Sequence, residues 1–513
     1  MKKTGFFLFE NNPRIIFHPL RIQVAVIATL IVALNFSTGA SASVNLLADA
    51  GDAIIAGDSS EFIAVESDSS PSENLPDIHS FDLNINECIE RALSDNRNLE
   101  LARQAVEIAR AGGRSAVSSF LPDLRFAYIY TRLDDVSMIE IPGIGEFAMG
   151  SQDSFRLGLS FTFPIYTGGQ YSATVRASDA QTASGETCVK QAEILIIAGV
   201  IGAYSYTLEA SRALDVSRAS KAHLDEVLRS AQASFDQGLL PLSDLLSIRV
   251  AQASAEQAVI QAERNHEIAQ SSLAYLIGAE IGERWVLEPL DYPVNNVPFS
   301  LETLWEWALG QRQGLAEIRH NREALEAQMD AIKSGRRPRI NFQADLSRSG
   351  DLPDGSSQGE VSGFGEGTSL SGTIGIYWDL YDFGRTGDML APLIEQIELL
   401  EIQEADLKEQ IKREVESALL NVRNQYESIG IAESAIVQAE EAYRVAKRRH
   451  EEGLGLTLQV LDAEATLART SLGFVHVTYE YYRGLASLAA SIGISIDDLI
   501  VLITAVNDET EKS

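Results

Sequence analysis

Cysteine is nearly absent from this chain of 513 residues, whose two cysteines are Cys88 and Cys188. Two cysteines exclude a disulfide framework and a cysteine-rich metal centre. The 7 histidines are scattered, and no two of them have the spacing of metal ligands on one helix. No nucleophile–base pair or phosphate-binding loop is apparent either. We therefore expect a protein that is not an enzyme and that has no catalytic residues, no metal and no cofactor.

Basic residues are scarce as well, because 41 Lys and Arg accompany 73 Asp and Glu and leave a net charge of −32. A secreted chain of this length and acidity would ordinarily be expected to be soluble. One basic cluster, Arg336, Arg337 and Arg339, lies where a predicted helix meets a predicted strand. We interpret this cluster as an anchor at a membrane boundary, and we expect no nucleic-acid partner.

Long hydrophobic runs are also rare, and the main one, Ile22–Phe36, lies near the N-terminus. It follows several basic residues and precedes the small-x-small motif Ala40–Ala42, so residues 1–42 predict a secretory signal peptide. An uncleaved anchor is the alternative, although the run is shorter than the ~20 residues of a spanning helix. Residues 43–80 are acidic, contain no Lys or Arg, and predict a flexible leader.

What the chain does contain is an internal duplication at an offset of 215 or 216 residues. The recurring landmarks are Ala92-Leu93 with Ala308-Leu309, Pro122 with Pro338, Gly169 with Gly384, Gly238-Leu239 with Gly453-Leu454, and Ile277-Gly278 with Ile492-Gly493. Solenoid repeats are only about 20–50 residues long, so a repeat of this length indicates a pseudo-two-fold protomer. We place the first repeat at 81–283, an equatorial linker at 284–298, the second repeat at 299–494 and a C-terminal tail at 495–513.

Each repeat contains two segments in which apolar and polar residues alternate with the period of a β-strand. The apolar series are Leu124–Tyr130, Phe155–Phe163, Ile340–Leu346 and Leu370–Leu380. Segments of about 9–11 residues can cross a membrane when they are tilted. A soluble sandwich shows the same alternation, but four strands beside so much helix are too few to build one. We therefore predict four transmembrane strands, with Tyr166, Trp378 and Tyr381 as membrane-interface anchors.

Six main helices accompany these strands. They are two leading helices at Glu87–Ser119 and about Thr303–Gly335, two long helices at Gly169–Phe235 and Arg385–His450, and two return helices at Leu242–Ile277 and Leu456–Ile492. At 1.5 Å per residue each long helix would extend ~100 Å. A leading and a return helix stacked end to end match one long helix in length. This match predicts a hollow helical tube with a belt where the short helices meet.

Several motifs resemble those of the TolC family of outer-membrane channel proteins. They are Pro164–Gly169 with its counterpart Asp379–Gly384, the tips Phe235–Leu239 and His450–Leu454, and Val460–Ala463. The resemblance covers about residues 83–494. It implies a homotrimer that combines a transmembrane β-barrel with a long α-helical coiled-coil barrel in the periplasm. Four strands per protomer would close a 12-stranded barrel, which leaves no exposed strand edge in the lipid of the outer membrane.

The resemblance also implies a periplasmic gate of coiled helices lined with aspartates. Asp462 falls at one such position, but the companion position three residues earlier is Gln459 here, a departure that puts a double carboxylate ring in doubt. Asp244, at the tip of the first repeat, is a second candidate. The alternative for each aspartate is an ordinary solvated acid at a helix end. A ring of carboxylates would favour cations.

The two helical tips are the expected docking sites for an adaptor. Gly238 and Gly453 allow the tight turns, and Leu239 and Leu454 are then apolar residues exposed at a helical end. Such exposure is unfavourable unless a partner covers it. The alternative is a turn staple, in which the leucines fold back on their own helices.

Together these features predict a passive exit duct in the outer membrane. An inner-membrane pump would supply the energy and a periplasmic adaptor protein would bridge the two membranes. The sequence does not separate small-molecule efflux from type I protein secretion. A secreted periplasmic coiled-coil scaffold without a pore is the alternative from a different class, in which the apolar strand faces would pack on helices.

Overall fold

The computed structural model describes residues 82–136, 138–143, 145–148, 151–290, 293–356, 367–452 and 454–511. The predicted signal peptide (1–42) and acidic leader (43–80) lie outside the described residues. The strands are β1 (Asp82–Leu83), β2 (Asp123–Arg132), β3 (Met138–Ile141), β4 (Gly145–Ala148), β5 (Asp153–Tyr166), β6 (Val286–Leu287), β7 (Arg339–Gly350) and β8 (Gly367–Tyr377). The helices are α1 (Ile85–Asp95), α2 (Arg97–Ser118), α3 (Gln170–Asp236), α4 (Leu242–Leu276), α5 (Leu301–Gln311), α6 (Gln313–Lys333), α7 (Arg385–Glu451), α8 (Thr457–Ile492) and α9 (Ile496–Glu511).

The four predicted strands form one antiparallel sheet in the order β2-β5-β7-β8. In the first hairpin Asp123 pairs with Thr162, and in the second Arg339 pairs with Tyr377. These second-hairpin partners lie 216 and 215 residues beyond the first pair, so the duplication extends to the hydrogen-bond register. A small hairpin, β3–β4, lies within the first interstrand loop.

The two faces of this sheet differ completely in polarity. Phe163, Phe342 and Ile374 are register partners on one face, and their neighbours Thr162, Gln343 and Thr373 are register partners on the other. Large apolar side chains on the first face are open to the surroundings, with Phe126 67% and Ile374 68% exposed. No helix covers this face, contrary to the soluble-scaffold alternative.

The long helices agree with the sequence prediction to within one residue at each end. Both α3 and α7 have 67 residues, and each is preceded by a glycine, Gly169 or Gly384, with a left-handed φ of 93°. Glycine adopts this conformation without the steric cost that a Cβ imposes. The strand-to-helix junction is therefore built in the same way in both repeats.

The prediction of six main helices is wrong in one respect, because both leading helices are broken. Among the described residues there are nine α-helices, with α1 and α2 separated at Asn96 and α5 and α6 separated at Arg312. Asn96 (ψ 121°) and Arg312 (ψ 118°) both have extended backbone. The two breaks are 216 residues apart, so they belong to the repeat. The tail adds α9.

The fourth strand is shorter than predicted. It ends at Tyr377, whereas the alternation continues to Leu380. Tyr377 pairs with Arg339, and the residue before Arg339 is Pro338, which has no N–H to extend the ladder. Trp378, Leu380 and Tyr381 therefore lie beyond the end of the strand in one protomer.

Two apolar cores lie partway along the long helices. One contains Ile201 of α3, Val415 of α7 and Leu488 of α8 together with Val297 of the linker and Leu499 of the tail. The other joins α1, α3 and α4 around Tyr204, whose hydroxyl donates to the carbonyls of Leu83 (3.0 Å) and Glu288 (2.7 Å). The linker and tail thus pack where the short helices meet the long ones.

Among the described helices, α3 is by itself long and apolar enough to cross a membrane, and α8 with α9 passes the same test only as a pair bent by 103°. The apolar part of α3 contains Ile196, Val200, Ile201 and Tyr204, all of which are buried in the two cores. We therefore assign this stretch to packing within the protein.

Candidate gate and interface sites

Each pair of antiparallel helices meets at a tight turn. After α3, Gly238 has φ 73° and the N–H of Leu239 donates to the carbonyl of Ser234 (2.9 Å). After α7, the N–H of Leu454 donates to the carbonyl of Arg449 (2.8 Å), whereas Gly453 lies outside the described residues. Both bonds span five residues, as in a Schellman motif that satisfies the last carbonyls of a helix.

The leucines at the turns point away from their own helices. Leu239 is 75% exposed and Leu454 is 70% exposed, so neither acts as a staple within the protomer. Further leucines near the turns are also exposed, and these are Leu242, Leu246, Leu456 and Leu458. Each tip is thus an apolar surface at the end of a helical hairpin.

The candidate gate residues lie in the first turns of the return helices. Gln459 and Asp462 are exposed on α8, one turn apart. Asp244 is half-buried in the first turn of α4, where it accepts a hydrogen bond from the hydroxyl of Ser243 (3.1 Å). By the repeat offset, Asp244 corresponds to Gln459 and Ser247 corresponds to Asp462. Each repeat therefore supplies one carboxylate, at alternate positions of the same motif.

Sequence reasoning missed a buried polar cluster that lies next to these positions. Glu464 of α8 is 4% exposed and lies beside Ser220 and His223 of α3, and the imidazole of His223 stacks on Tyr443 of α7 with ring centroids 5.1 Å apart. Burial raises the pKa of Glu464, although the Ser220 hydrogen bond and the His223 charge oppose that shift. Burial also raises the pKa of Tyr443 to about 12. Nothing in the local pattern around Glu464 indicates burial, because only tertiary packing places it there.

The residues predicted to anchor the protein at the membrane interface lie at the helix-proximal end of the sheet. Tyr166, Trp378 and Tyr381 are all exposed, and the indole Nε1 of Trp378 donates to the carbonyl of Arg336 (3.0 Å). The ring of Tyr381 meets Phe383 edge to face, with centroids 4.6 Å apart. Large apolar side chains and indole dipoles at one level are typical of an aromatic girdle.

Asp382 fixes the turn that carries these aromatic residues. Its carboxylate accepts hydrogen bonds from the N–H groups of Gly384 (3.2 Å) and Thr386 (3.1 Å) and from the Thr386 hydroxyl. These hydrogen bonds, led by that of the Thr386 hydroxyl, lower the pKa of Asp382 to about 2. A carboxylate in this position caps α7 and interacts favourably with the helix dipole.

Arginines surround this turn. Arg336 lies 3.5 Å from Asp382, and both Arg339 (3.7 Å) and Arg385 (3.8 Å) approach Asp379. The predicted basic cluster is therefore partly neutralised by two aspartates at the junction of the sheet and the helices. Among the described residues, no group of three or more His, Cys, Asp or Glu side chains has the geometry to hold a metal ion.

Comparisons with known proteins agree with this geometry. The family described as "Outer membrane efflux protein" matches residues 88–279 and 304–494, which correspond to the two repeats. The chain belongs to this family. It is therefore an outer-membrane protein with a helical part in the periplasm, and it serves as the exit duct of an efflux or type I secretion system. The family is one of transport channels and not of enzymes.

Individual relatives are distant but cover most of the chain. The alkaline protease secretion protein AprF of Pseudomonas aeruginosa is 22% identical over 81% of this chain and 85% of its own length. The outer membrane protein TolC of Vibrio cholerae is 23% identical over 66% of this chain and 77% of its own length. The crystal structure of the outer membrane protein VceC of Vibrio cholerae has a TM-score of 0.64 and 19% identity over 80% of this chain and 96% of VceC.

Proposed function

We propose that three copies of this chain assemble into one passive export channel, in which their sheets close a 12-stranded transmembrane barrel and their helices form a periplasmic tube. The observation that carries this proposal is the two-faced sheet. Its apolar face is exposed along the full width of four strands, so lipid is the environment that suits it. Its opposite face, with Thr162, Gln343 and Thr373, suits a water-filled lumen.

Closure into a ring also removes the strand edges. Within the described residues β2 and β8 each have one sheet neighbour, which leaves an unpaired edge on either side. In hydrocarbon each unpaired backbone group costs several kcal/mol, so an open four-stranded sheet is unstable there. Pairing β8 of one copy with β2 of the next satisfies both edges at once.

The gate in this proposal lies at the periplasmic tips. Asp462 contributes one carboxylate per copy and Asp244 contributes another, so three copies place two rings of three carboxylates at nearby heights. Gln459 occupies the position of the missing acid in the second repeat. Rings of like charge favour cations and repel one another, which opposes wide closure of the helices at neutral pH.

The partners in this proposal are a periplasmic adaptor and an inner-membrane pump. The apolar tips around Leu239 and Leu454 are exposed at the ends of the helical hairpins, where a helical hairpin of an adaptor can cover them. Gly238 and Gly453 form the turns that present them. Because one relative is a protease secretion protein and another is a toluene efflux pump protein, the cargo can be a protein or a small molecule.

Single-channel conductance in planar bilayers tests the duct and its gate together. The purified protein is compared with Asp462→Ala, Asp244→Ala and the double variant, and Ser247→Ala serves as an uncharged control at the position that matches Asp462. We expect cation-selective conductance that becomes larger or less selective in each single variant and most so in the double variant. Unchanged selectivity in the double variant would remove both residues from the gate, and a folded protein without conductance would refute the channel.

A further inference from the structure

The two repeats of one protomer meet at a tightly packed junction. At this junction β5 of the first repeat pairs with β7 of the second. Just beyond β5, a Cβ on Gly168 would lie 2.7 Å from the carbonyl oxygen of Ser334 and 2.9 Å from the Cβ of Arg337. The guanidinium Nη1 of Arg337 donates to the carbonyl of Gly168 (3.0 Å). The turn after β5 is thus seated on the end of the next leading helix.

The repeat offset identifies the counterparts of this junction at the outer edges of the protomer. Gly168 corresponds to Phe383, and Arg336-Arg337 corresponds to Phe120-Leu121. In one protomer these counterparts are open, with Phe383 88%, Leu121 59% and Phe120 41% exposed. The close glycine and the arginines of the inner junction are therefore replaced together, by a large apolar ring on one edge and apolar side chains on the other.

Phe383 has an unfavourable conformation as well as an unfavourable exposure. Its φ is 51°, and among the described residues no other non-glycine residue has a positive φ. An aromatic residue in the left-handed region costs about 1 kcal/mol or more, and such strain persists where the surroundings hold it in place. A glycine, as at position 168, would remove the cost. The retained ring indicates a contact that one protomer does not contain.

We propose that the seam between neighbouring protomers repeats the inner junction, with Phe383 of one copy seated on Phe120 and Leu121 of the next. This inference rests on the proposed trimer and specifies its interface. The inner junction is polar and hydrogen-bonded, whereas the seam is apolar. Enrichment in aromatic side chains and depletion of charge are typical of the buried centre of a protein–protein interface.

The inner junction also fixes the register of the seam. Gly158 of β5 pairs with Ser347 of β7, and the repeat offsets carry this pair to Thr373 of one copy and Thr131 of the next. In the same register the pair Phe163–Phe342 becomes Trp378–Phe126, which keeps an aromatic contact across the strands.

Charge complementarity supports this register. The inner pair Pro164–Asn341 becomes Asp379 opposite Arg125, two residues of opposite sign. Arg125 is exposed in one protomer and lies 3.8 Å from Asp123. Pairing with β2 of the next copy also extends β8 beyond Tyr377, because the new partner supplies backbone groups that Pro338 lacks. Tyr381 then falls opposite Leu124, as Tyr166 falls opposite Ile340.

Cysteine cross-linking in the full-length protein tests the register. Thr131→Cys with Thr373→Cys places two cysteines opposite each other across the seam, where Cα atoms of antiparallel strands are about 4.5–5.5 Å apart and a disulfide can form. Thr131→Cys with Ser371→Cys is the matched control, because it moves one thiol two residues along the same face, ~7 Å away. Under mild oxidation we expect a covalent trimer from the first pair, and little product from the control or from the parent with its native Cys88 and Cys188.

The seat of Phe383 is tested separately, by the temperature at which the detergent-purified trimer dissociates. Phe383→Gly relieves the backbone strain, yet we expect it to lower this temperature, because the ring is lost from the seam. Leu380→Gly, which removes another exposed apolar side chain from the same segment, is the control and should have a smaller effect. An unchanged or higher dissociation temperature for Phe383→Gly would overturn the seat and assign the ring to lipid.

The outcomes separate this inference from the proposed trimer. A particle of trimer mass that cross-links through the control pair but not through Thr131 and Thr373 would overturn the register and leave the trimer standing. A parent protein that has the mass of a monomer under all detergent conditions would refute the proposed assembly, and the seam with it.

Discussion

The two repeats have the same backbone and different side-chain chemistry. Both long helices have 67 residues, both begin after a left-handed glycine, and both hairpins have the same register. At the helix breaks, however, the side chains differ. The amide of Asn96 donates to the carbonyl of Leu276 (2.8 Å), whereas Arg312 donates to the carbonyl of Ala490 (2.9 Å) and also contacts Glu414.

This comparison shows what the duplicated fold requires at each break. In both repeats the residue at the break ties the start of α2 or α6 to the C-terminal end of the return helix. A buried amide achieves this in the first repeat and a guanidinium with an acidic partner achieves it in the second. The backbone geometry is therefore the retained feature, and any donor of suitable length satisfies it.

The tips differ in the same manner. Asp244 and Gln459 occupy one position of the return-helix motif, and Ser247 and Asp462 occupy the other. Each repeat has one acid and one neutral residue, in opposite order. Three-fold symmetry would multiply each acid separately, so the repeats make complementary contributions to one gate.

The largest expected effect comes from breaking the two-faced sheet. Phe342→Arg places a charge on the apolar face of a central strand, where it costs about 2–4 kcal/mol near the bilayer midplane. We expect this variant to lose membrane-inserted trimer, measured as the heat-modifiable oligomer in outer-membrane fractions. Gln343→Arg, the next residue on the polar face, is the matched control and should assemble.

The control variant also carries information about the lumen. If the polar face lines the channel, three added arginines in Gln343→Arg reduce cation selectivity in bilayer recordings. Equal loss of assembly in both variants would contradict the assignment of the two faces.

An intermediate effect is expected at the helix breaks. Arg312→Ala removes charge-assisted hydrogen bonds, each worth about 1.5–3 kcal/mol, whereas Asn96→Ala removes a helix cap worth about 1 kcal/mol together with one buried amide contact. We expect both to lower the melting temperature, with the larger decrease for Arg312→Ala. Arg312→Lys keeps the charge without the forked geometry and should fall between Arg312→Ala and the parent. The reverse order would show that the first break contributes more to stability.

The smallest expected effect concerns pH and Glu464. Because burial raises its pKa above the ordinary 4.5 in the folded protein, the folded chain retains a proton that the unfolded chain releases. The contribution of this group to stability is therefore greatest below the unfolded pKa and declines as pH rises through the folded pKa. Glu464→Gln should remove this decline and melt at a higher temperature than the parent at neutral pH.

Melting curves over a pH series measure this effect. Glu433→Gln on α7 is an exposed control that should leave the pH dependence of the parent unchanged. A Glu464→Gln variant that is less stable than the parent at neutral pH would show that the ionised carboxylate stabilises the cluster with Ser220, His223 and Tyr443.

Much of the fold was predictable because the signals are local. Alternation of period two predicted the four strands, and Gly169, Gly384 and Gly238 marked the ends of the helices. The break at Asn96 carried a signal that was missed, since asparagine is a favoured N-cap residue. Arg312 gave no such signal, because arginine is a good helix former and its break depends on Ala490 and Glu414.

The candidate site was predictable in position but not in environment. The sequence placed Asp462, Gln459 and Asp244 near the tips and Leu239 and Leu454 at the turns, and the roles proposed for them stay predictions. It did not predict the buried carboxylate of Glu464 or the extended turn around Phe383. Both depend on which helices and strands become neighbours across hundreds of residues.

The sequence by itself determined the family, the duplication, the strand pattern and the length of the long helices, because periodicity, turn glycines and helix-length matching are properties of short segments. Only the tertiary structure decided where the leading helices break, where β8 stops and which polar groups are buried. These features depend on contacts between distant segments, whose desolvation and hydrogen bonding outweigh local propensity. The left-handed Phe383 is such a case, since its local conformation is unfavourable and its explanation lies in a neighbouring chain.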